Sequence, residues 1–189
     1  MYEPLAIKLR PTKLSEVVGQ EHIIGKDKIL SNLVKNKKLV SIILYGKPGI
    51  GKTSIANAIT NELGLRTKFL NAVVNNKKDF DIAIEMYKGI VLVIDEIHRM
   101  NKDKQDILLP FLENGLIILI GLTTSNPYHK INPAIRSRCQ IFELHELNDE
   151  IIKKALKKAC KSEYLDGVNI DNKSIDKIVA LSSGDLRFA

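Results

Sequence analysis

The 189-residue sequence has no tryptophan, two cysteines and four histidines. Cys139 and Cys160 form no C-x-x-C pair, and in a chain without a secretory signal two such thiols favour the reduced state over a disulfide. The histidines are isolated and no H-E-x-x-H motif is present, which argues against a zinc site. We therefore expect four structural or surface histidines: His22, His98, His129 and His145.

Long hydrophobic runs are also missing. The longest, residues 116–122, includes Gly121 and is far too short to span a bilayer. No signal peptide is expected, because Lys8, Arg10 and Pro11 interrupt the early apolar residues. The sequence thus predicts a cytoplasmic protein without a membrane partner. Its length suits one generous domain, or one domain with part of a second.

Positive charge is in excess, since 29 Lys and Arg against 22 Asp and Glu give a formal charge of +7. This balance suits a polyanionic partner, although charge runs are usually solvated faces. Lysines cluster at residues 35–38, 77–78 and 153–161. In the last cluster they share one face of a predicted helix, so residues 153–158 are a candidate DNA contact.

The clearest motif is G-x-x-x-x-G-K-[ST], which begins at Gly46 and follows an apolar run at residues 40–45. Its glycines allow backbone N–H groups to approach a phosphate closely. Lys52 can reach the β and γ phosphates of ATP, and the Thr53 hydroxyl can ligate Mg²⁺. The predicted nucleotide-binding residues are Gly46, Lys47, Pro48, Gly49, Ile50, Gly51, Lys52, Thr53 and Ser54.

An acidic pair follows the wholly apolar run at residues 90–94. Phosphoryl transfer to water needs one carboxylate to hold the metal and another to orient the attacking water. Asp95 is predicted to bind Mg²⁺ together with Thr53, and Glu96 to act on the water. Thr124 follows another buried strand and could hydrogen-bond the γ phosphate or the water, although its surroundings also suit an ordinary turn.

Strands and helices alternate through the first 147 residues. Apolar runs predict five strands, at residues 39–45, 67–73, 90–94, 116–123 and 140–144. Helices are predicted at residues 26–36, 52–63, 80–87 and 101–112. This order is typical of a three-layer α/β sandwich. The pattern then becomes helical, at 149–161 and 171–181, with a further helix starting after Gly184. We predict an ATPase core over residues 1–147 and a partial helical lid over residues 148–189.

Five segments in this order resemble AAA+ ATPases of the clamp-loader clade: GKPGIGKTS, IVLVIDEIHRMNK, LIGLTTSNP, NPAIRSRC and SSGDLR. Two longer segments, PLAIKLRPTKLSEVVGQEHIIG and DEIHRMNKDKQDILLPFLENG, resemble the replication-associated recombination protein A family, whose eukaryotic counterpart is the Werner helicase-interacting ATPase. The resemblance covers residues 4–187 and implies a P-loop AAA+ sandwich with a five-stranded parallel sheet. Because family members continue well past residue 189, we expect a truncated N-terminal portion.

The resemblance implies roles that the residues alone leave open. Arg138 matches the arginine finger, which reaches the nucleotide of a neighbouring subunit and stabilises transition-state charge. Arg187 matches sensor 2, Thr124 matches sensor 1, and Asn71 matches a polar switch that restrains Glu96. The segment that frames adenine is matched by Val17, Val18 and Gly19. The implied catalytic set is Glu96, Lys52, Thr124, Arg138 and Arg187.

The resemblance further implies a Mg²⁺-dependent ATPase that remodels DNA or DNA-bound proteins in replication-fork maintenance, recombination and repair. Implied partners are single-stranded, forked or duplex-end DNA, a single-strand DNA-binding protein, and further copies of the chain in a tetramer. One alternative is a nucleotide-dependent scaffold or clamp-loader-type subunit with little turnover, against which Glu96 argues. Another, a small-molecule kinase, is disfavoured by the acidic strand end and the helical lid. Lys47 stands where the family usually has proline, a departure that could alter the stiffness or charge of the loop.

Overall fold

The structure, a computed structural model, describes residues 4–86, 89–165 and 170–189. Five strands form one sheet: β1 (Ile42–Tyr45), β2 (Thr67–Asn71), β3 (Ile90–Asp95), β4 (Ile117–Thr123) and β5 (Gln140–Glu143). Every pairing in it is parallel, and the strand order is β2-β3-β4-β1-β5. The expected α/β fold with a five-stranded parallel sheet is therefore confirmed.

Helices connect these strands and continue after the sheet. They are α1 (Leu5–Lys8), α2 (Glu21–Ile24), α3 (Ile29–Lys35), α4 (Lys52–Glu62), α5 (Lys77–Met86), α6 (Lys102–Glu113), α7 (Pro127–Lys130), α8 (Pro133–Arg136), α9 (Asp149–Cys160) and α10 (Asn172–Ser182). Tyr87, where the sequence analysis ends α5, lies outside the described residues. Within the described ranges, no helix combines the length and the apolar character needed to cross a bilayer.

Side-chain caps determine where several helices begin. Five Asn or Asp residues each accept a hydrogen bond from a backbone N–H in the first turn of the helix that follows, which satisfies a donor that the helix itself leaves unpaired. They are Asn101, Asn126, Asn132, Asn148 and Asp171. The cap at Asn148 starts the helical segment after the sheet. The domain boundary at residues 147–148 stays a prediction.

The core lies on both faces of the sheet because successive side chains of a strand point to opposite sides. Ile42 and Leu44 of β1 pack in one cluster and Ile43 in the other, and all three are fully buried. Ile152 of α9 and Val179 of α10 join the cluster that contains α4. The helical segment after the sheet therefore packs on the same face as the helix that follows the phosphate loop.

The strand order brings three strand ends together. β4 lies between β1 and β3, with Tyr45 paired to Thr123 and Ile94 paired to Gly121. All three strands therefore end at the same edge, which is where open parallel sheets bind ligands. The end of β4, which Thr124 follows, therefore lies between the phosphate loop and the acidic pair.

Residues 186–188 form a turn, and the further helix predicted after Gly184 is wrong. In place of continuing a helix, the N–H of Leu186 donates to the carbonyl oxygen of Gly49 at 3.2 Å. A long-range contact with the phosphate loop thus sets the conformation of this segment.

The two cysteines are free thiols. Burial raises the pKa of the Cys139 thiol to about 12, and the thiolate is the reactive form. We expect iodoacetamide to label Cys160 at least roughly tenfold faster than Cys139 in the folded protein at about pH 8. Peptide mass spectrometry measures both rates. In the unfolded control the two rates should converge, and equal rates in the folded protein would contradict the burial of Cys139.

Candidate functional site

The phosphate loop adopts a conformation that depends on its glycines. Gly46, Gly49 and Gly51 have φ angles of 146°, 72° and 106°, in the region that residues with a Cβ rarely adopt. A Cβ on Gly46 would also lie 2.7 Å from the carbonyl oxygen of Leu144. The loop therefore runs close to β5, and its backbone is free to approach a bound anion.

Lys52 holds this loop in shape. Its Nζ donates to the carbonyl oxygens of Gly46 at 2.7 Å and Lys47 at 2.6 Å, and the residue is only 8% exposed. Burial lowers the pKa of Lys52, while the Glu96 carboxylate acts in the opposite direction. The ammonium group thus lies inside the loop, where a phosphate would meet it.

Thr53 and Asp95 provide oxygen atoms beside the loop that could ligate a metal ion. Thr53 is half-buried in the first turn of α4. Asp95 ends β3, and its Oδ1 accepts a hydrogen bond from the N–H of Glu96 at 3.0 Å. Mg²⁺ is usually bound by one or two carboxylates, water and substrate phosphates. A hydroxyl and a carboxylate at the mouth of a phosphate loop fit this pattern.

Glu96 has a strained backbone and a restrained side chain. Its φ and ψ angles of 54° and 38° lie in the left-handed region, which costs energy in a non-glycine residue and is often found at functional sites. Its Oε2 lies 3.3 Å from Nδ1 of His98 and 3.5 Å from Oγ1 of Thr124. The structure thus brings predicted sensor 1 and the predicted base together through one carboxylate oxygen.

His98 is part of this network, which fits its interpretation as a structural histidine and adds a contact with Glu96 that was not expected. Its side chain is 8% exposed, and its Nδ1 lies 2.9 Å from Oγ1 of Thr123. Burial lowers the pKa of His98, although the Glu96 carboxylate acts against this. Because the Thr123 hydroxyl donates to the carbonyl of Ser125, we assign the imidazole proton to Nδ1, facing Thr123 and Glu96. The sequence signal for this contact is the spacing in DEIH, since Glu96 caps the 3-10 turn, residues 97–99, that contains His98.

The segment after α10 lies directly on the phosphate loop. A Cβ on Gly49 would overlap the carboxylate of Asp185, and Leu186 donates to the Gly49 carbonyl. Asp185 Oδ1 accepts from the N–H of Arg187 at 2.8 Å and lies 3.8 Å from its Nε. Arg187 also lowers the pKa of Lys52. Predicted sensor 2 therefore lies near Lys52, and Asp185 is a further residue at the loop that the sequence did not predict.

Arg138 lies apart from these residues. It precedes β5, whose first residue Gln140 pairs with Ile42 at the start of β1, whereas the phosphate loop follows the end of β1. At about 3.3 Å per residue, the four-residue strand separates the two edges by roughly 13 Å. Arg138 is therefore at the amino edge of the sheet, where its Nη2 forms a 2.6 Å ion pair with Oε1 of Glu113.

A cleft of about 240 Å³ contains the residues predicted to frame adenine. Val17, Val18 and Gly19 line one side, and residues at the start of α9 line another. Gly19 is required here, because its φ is 75° and a Cβ would lie 2.8 Å from Leu147. The contribution of the helical segment was missed from sequence: Asn148, Glu150, Ile151 and Lys154.

The lysines of α9 are less free than their pattern suggests. Lys153 Nζ lies 2.9 Å from Oδ1 of Asp176, and Lys158 Nζ donates to the carbonyl of Glu16 at 3.2 Å. Lys154 lines the cleft, and both Lys154 and Lys157 are exposed. Lys153 is therefore paired within the chain, and a DNA contact at residues 153–158 stays a prediction.

The comparison with known proteins decides the family. Residues 9–134 match the family model described as the Holliday junction DNA helicase RuvB P-loop domain. The chain belongs to this family. Membership in the RuvB P-loop family confirms the expected class, a nucleotide-binding domain of the AAA+ ATPases.

Individual relatives agree with this placement. Replication-associated recombination protein A of Bacillus subtilis is 50% identical, over 99% of this chain and 46% of that protein. ATPase WRNIP1 of Dictyostelium discoideum is 37% identical, over 100% of this chain and 23% of that protein. The Thermotoga maritima RuvB Holliday junction branch migration motor aligns with a TM-score of 0.79 and 30% identity, over 95% of this chain and 62% of that chain. The chain thus spans less than half the length of the two curated relatives, and the expected resemblance to the replication-associated recombination protein A family is confirmed.

Two residues singled out by the expected family resemblance, Lys47 and Asn71, have defined contacts. Lys47 forms a 2.6 Å ion pair with Glu146, and both side chains are mostly exposed. Such a pair contributes little stability, but it links the loop to the segment before α9. Asn71 pairs with Asp95 in the β2–β3 register and accepts from the N–H of Val73 at 2.8 Å. Its role as a switch for Glu96 stays a prediction.

We expect Gly49→Ala to weaken ATP binding by roughly tenfold or more, because the new Cβ would displace Asp185 and the positive φ would be strained. Gly64→Ala is a matched control, since Gly64 has a φ of 62° but nothing lies within 4 Å of its added Cβ. Calorimetric titration with ATP and thermal melting of both variants measure the difference. Equal losses in the two variants would show that backbone strain alone accounts for the effect.

We expect His98→Ala to lower kcat for ATP hydrolysis by roughly tenfold to a hundredfold with little change in KM, because Glu96 loses a contact that orients it. His129→Ala is the control, since His129 is exposed on α7. Steady-state phosphate release measures both constants. An unchanged kcat, or a loss confined to KM, would remove His98 from the site.

Proposed function

We propose that this domain hydrolyses ATP in the presence of Mg²⁺, with each nucleotide lying between two copies of the chain. The observation that carries the proposal is the division of the predicted site residues between two edges of one sheet. Lys52, Asp95, Glu96 and Thr124 lie at the carboxyl edge, and Arg138 lies at the amino edge.

The residues at the carboxyl edge have complementary tasks. Lys52 and Arg187 bind phosphate oxygens, and Gly46, Gly49 and Gly51 bring backbone N–H groups towards them. Glu96 orients the attacking water and accepts its proton, while Thr124 and His98 limit the movement of the carboxylate. Thr53 and Asp95 would hold Mg²⁺, which neutralises charge on the β and γ phosphates when bound.

Arg138 supplies charge stabilisation to a neighbour. Arg138 and the phosphate loop of the same chain lie at opposite ends of β1 and β5, so Arg138 does not reach its own nucleotide. In a ring or stack of copies, the amino edge of one sheet can face the carboxyl edge of the next. A guanidinium placed at the γ phosphate stabilises the charge that develops in the transition state. This arrangement supports the homo-oligomer that the resemblance implies, a tetramer.

We further propose that hydrolysis drives remodelling of DNA or DNA-bound proteins during replication-fork maintenance and recombination. The names of the relatives refer to replication-associated recombination and to Holliday junctions, and the formal charge of +7 suits a polyanion. Single-stranded, forked or duplex-end DNA and a single-strand DNA-binding protein are the proposed partners, in the cytoplasm. On α9, Lys154 and Lys157 are exposed lysines that such a contact could use.

The test is Glu96→Gln in protein that extends to the length of the curated relatives. We expect ATP affinity to stay within about twofold and turnover to fall at least roughly a hundredfold, because an amide accepts no proton from water. Phosphate release is measured without DNA and with forked, single-stranded and duplex-end DNA. Glu163→Gln, on an exposed 3-10 turn, is the control. Wild-type protein that binds ATP and DNA but hydrolyses nothing would favour a nucleotide-dependent scaffold.

A further inference from the structure

Arg138 is held on the surface by contacts from two helices. Its Nη2 lies 2.6 Å from Oε1 of Glu113, the last residue of α6. Its Nη1 donates to the carbonyl of Ala134 at 2.7 Å and lies 3.3 Å from Oγ of Ser137. The guanidinium is therefore fixed through both terminal nitrogens although its side chain is 36% exposed.

The helices that hold Arg138 are themselves joined. Gln105 of α6 accepts a 2.7 Å hydrogen bond from the N–H of Asn132 and donates to the carbonyl of Lys130. The side chain of Asn132, which caps α8, donates to Asp106 of α6 at 2.6 Å. Glu113 thus stands on a helix whose position relative to α8 is set by several hydrogen bonds.

The location of Glu113 is unfavourable for the helix alone. A carboxylate in the last turn interacts poorly with the negative end of the helix dipole, and the last turn of α6 contains no basic residue. Arg138, 25 positions later in the sequence, is the cation that compensates it. The pair is therefore better explained by the placement of Arg138 than by stabilisation of α6.

We propose that Glu113 is a positioning residue for Arg138, holding the guanidinium ready at the amino edge for the nucleotide of a neighbouring copy. This inference rests on the proposed function. Arginine has many rotamers, and a side chain oriented in advance loses less entropy when it meets a phosphate. One Nη2 proton and the Nε proton are not used by the contacts described above and can donate to phosphate oxygens.

Glu113 could either position Arg138 for the nucleotide or withhold Arg138 from it. The two roles predict opposite effects on turnover when Glu113 is removed. In the assembled protein we expect Glu113→Ala to lower kcat by roughly fivefold to twentyfold, with KM for ATP changed by less than about twofold. Glu113→Gln should fall in between, because its amide oxygen still accepts a hydrogen bond from Nη2. Neither substitution should add to the loss caused by Arg138→Ala, since both act through the same group.

Mixing two defective proteins separates positioning from a folding defect. Glu96→Gln chains lack the base but keep an intact Arg138, whereas Glu113→Ala chains keep the base but have a poorly placed Arg138. We expect equal amounts of the two to hydrolyse ATP faster than either alone, because the first lends its Arg138 to the second. Asp176→Ala, which removes the 2.9 Å ion pair with Lys153, is the control and should leave the rate without DNA unchanged.

The outcomes distinguish this inference from the function on which it rests. If Arg138→Ala hydrolysed ATP at the wild-type rate, turnover would not depend on Arg138. That result would overturn both the proposed function and the role of Glu113. A slow Arg138→Ala variant with a wild-type rate for Glu113→Ala would overturn the role of Glu113 alone. A Glu113→Ala variant that is faster than wild type would also overturn it, by showing that Glu113 withholds Arg138.

Discussion

The position of β4 between β1 and β3 is the constraint on which the site depends. β1 ends in the phosphate loop, β3 ends in Asp95, and β4 is followed by Thr124. If β4 did not lie between β1 and β3, one of these three groups would be further from the other two by one strand spacing, about 4.8 Å. Burial enforces the order, because the three strands are apolar on both faces and must be covered by helices on each side. The packing that stabilises the fold therefore also sets the distances between the chemical groups.

Local sequence predicts the parts whose geometry is local. The phosphate loop, the acidic pair and the cap at Asn101 follow from spacings of a few residues. Contacts between distant segments carry no such signal: Asp185 reaches Gly49, and Glu113 reaches Arg138, through packing that no periodicity encodes. The start of β1 illustrates the same limit, since its apolar run begins at Leu39 but its ladder begins at Ile42, where β4 and β5 both offer partners.

The pattern of charges predicts less of the structure than the pattern of hydrophobic residues does. The lysine pattern of α9 predicts a free basic face, yet Lys153 and Lys158 have partners within the chain. His98 shows the converse, because a histidine that is isolated in the sequence is buried against Thr123 of β4, where it also contacts Glu96. The sequence contains the charges, but which of them face solvent depends on the tertiary fold.

The two-edge arrangement has a consequence for how such a protein would respond to its surroundings. Under the proposed function, a single copy contains every group that the chemistry needs, but its own Arg138 lies at the opposite edge of the sheet from its own phosphate loop. The rate of ATP hydrolysis would then depend on assembly with neighbouring copies. Dilution would lower the rate without any change to the fold of a single copy. Whatever gathers copies together would act as a switch, without needing a binding pocket for a regulator.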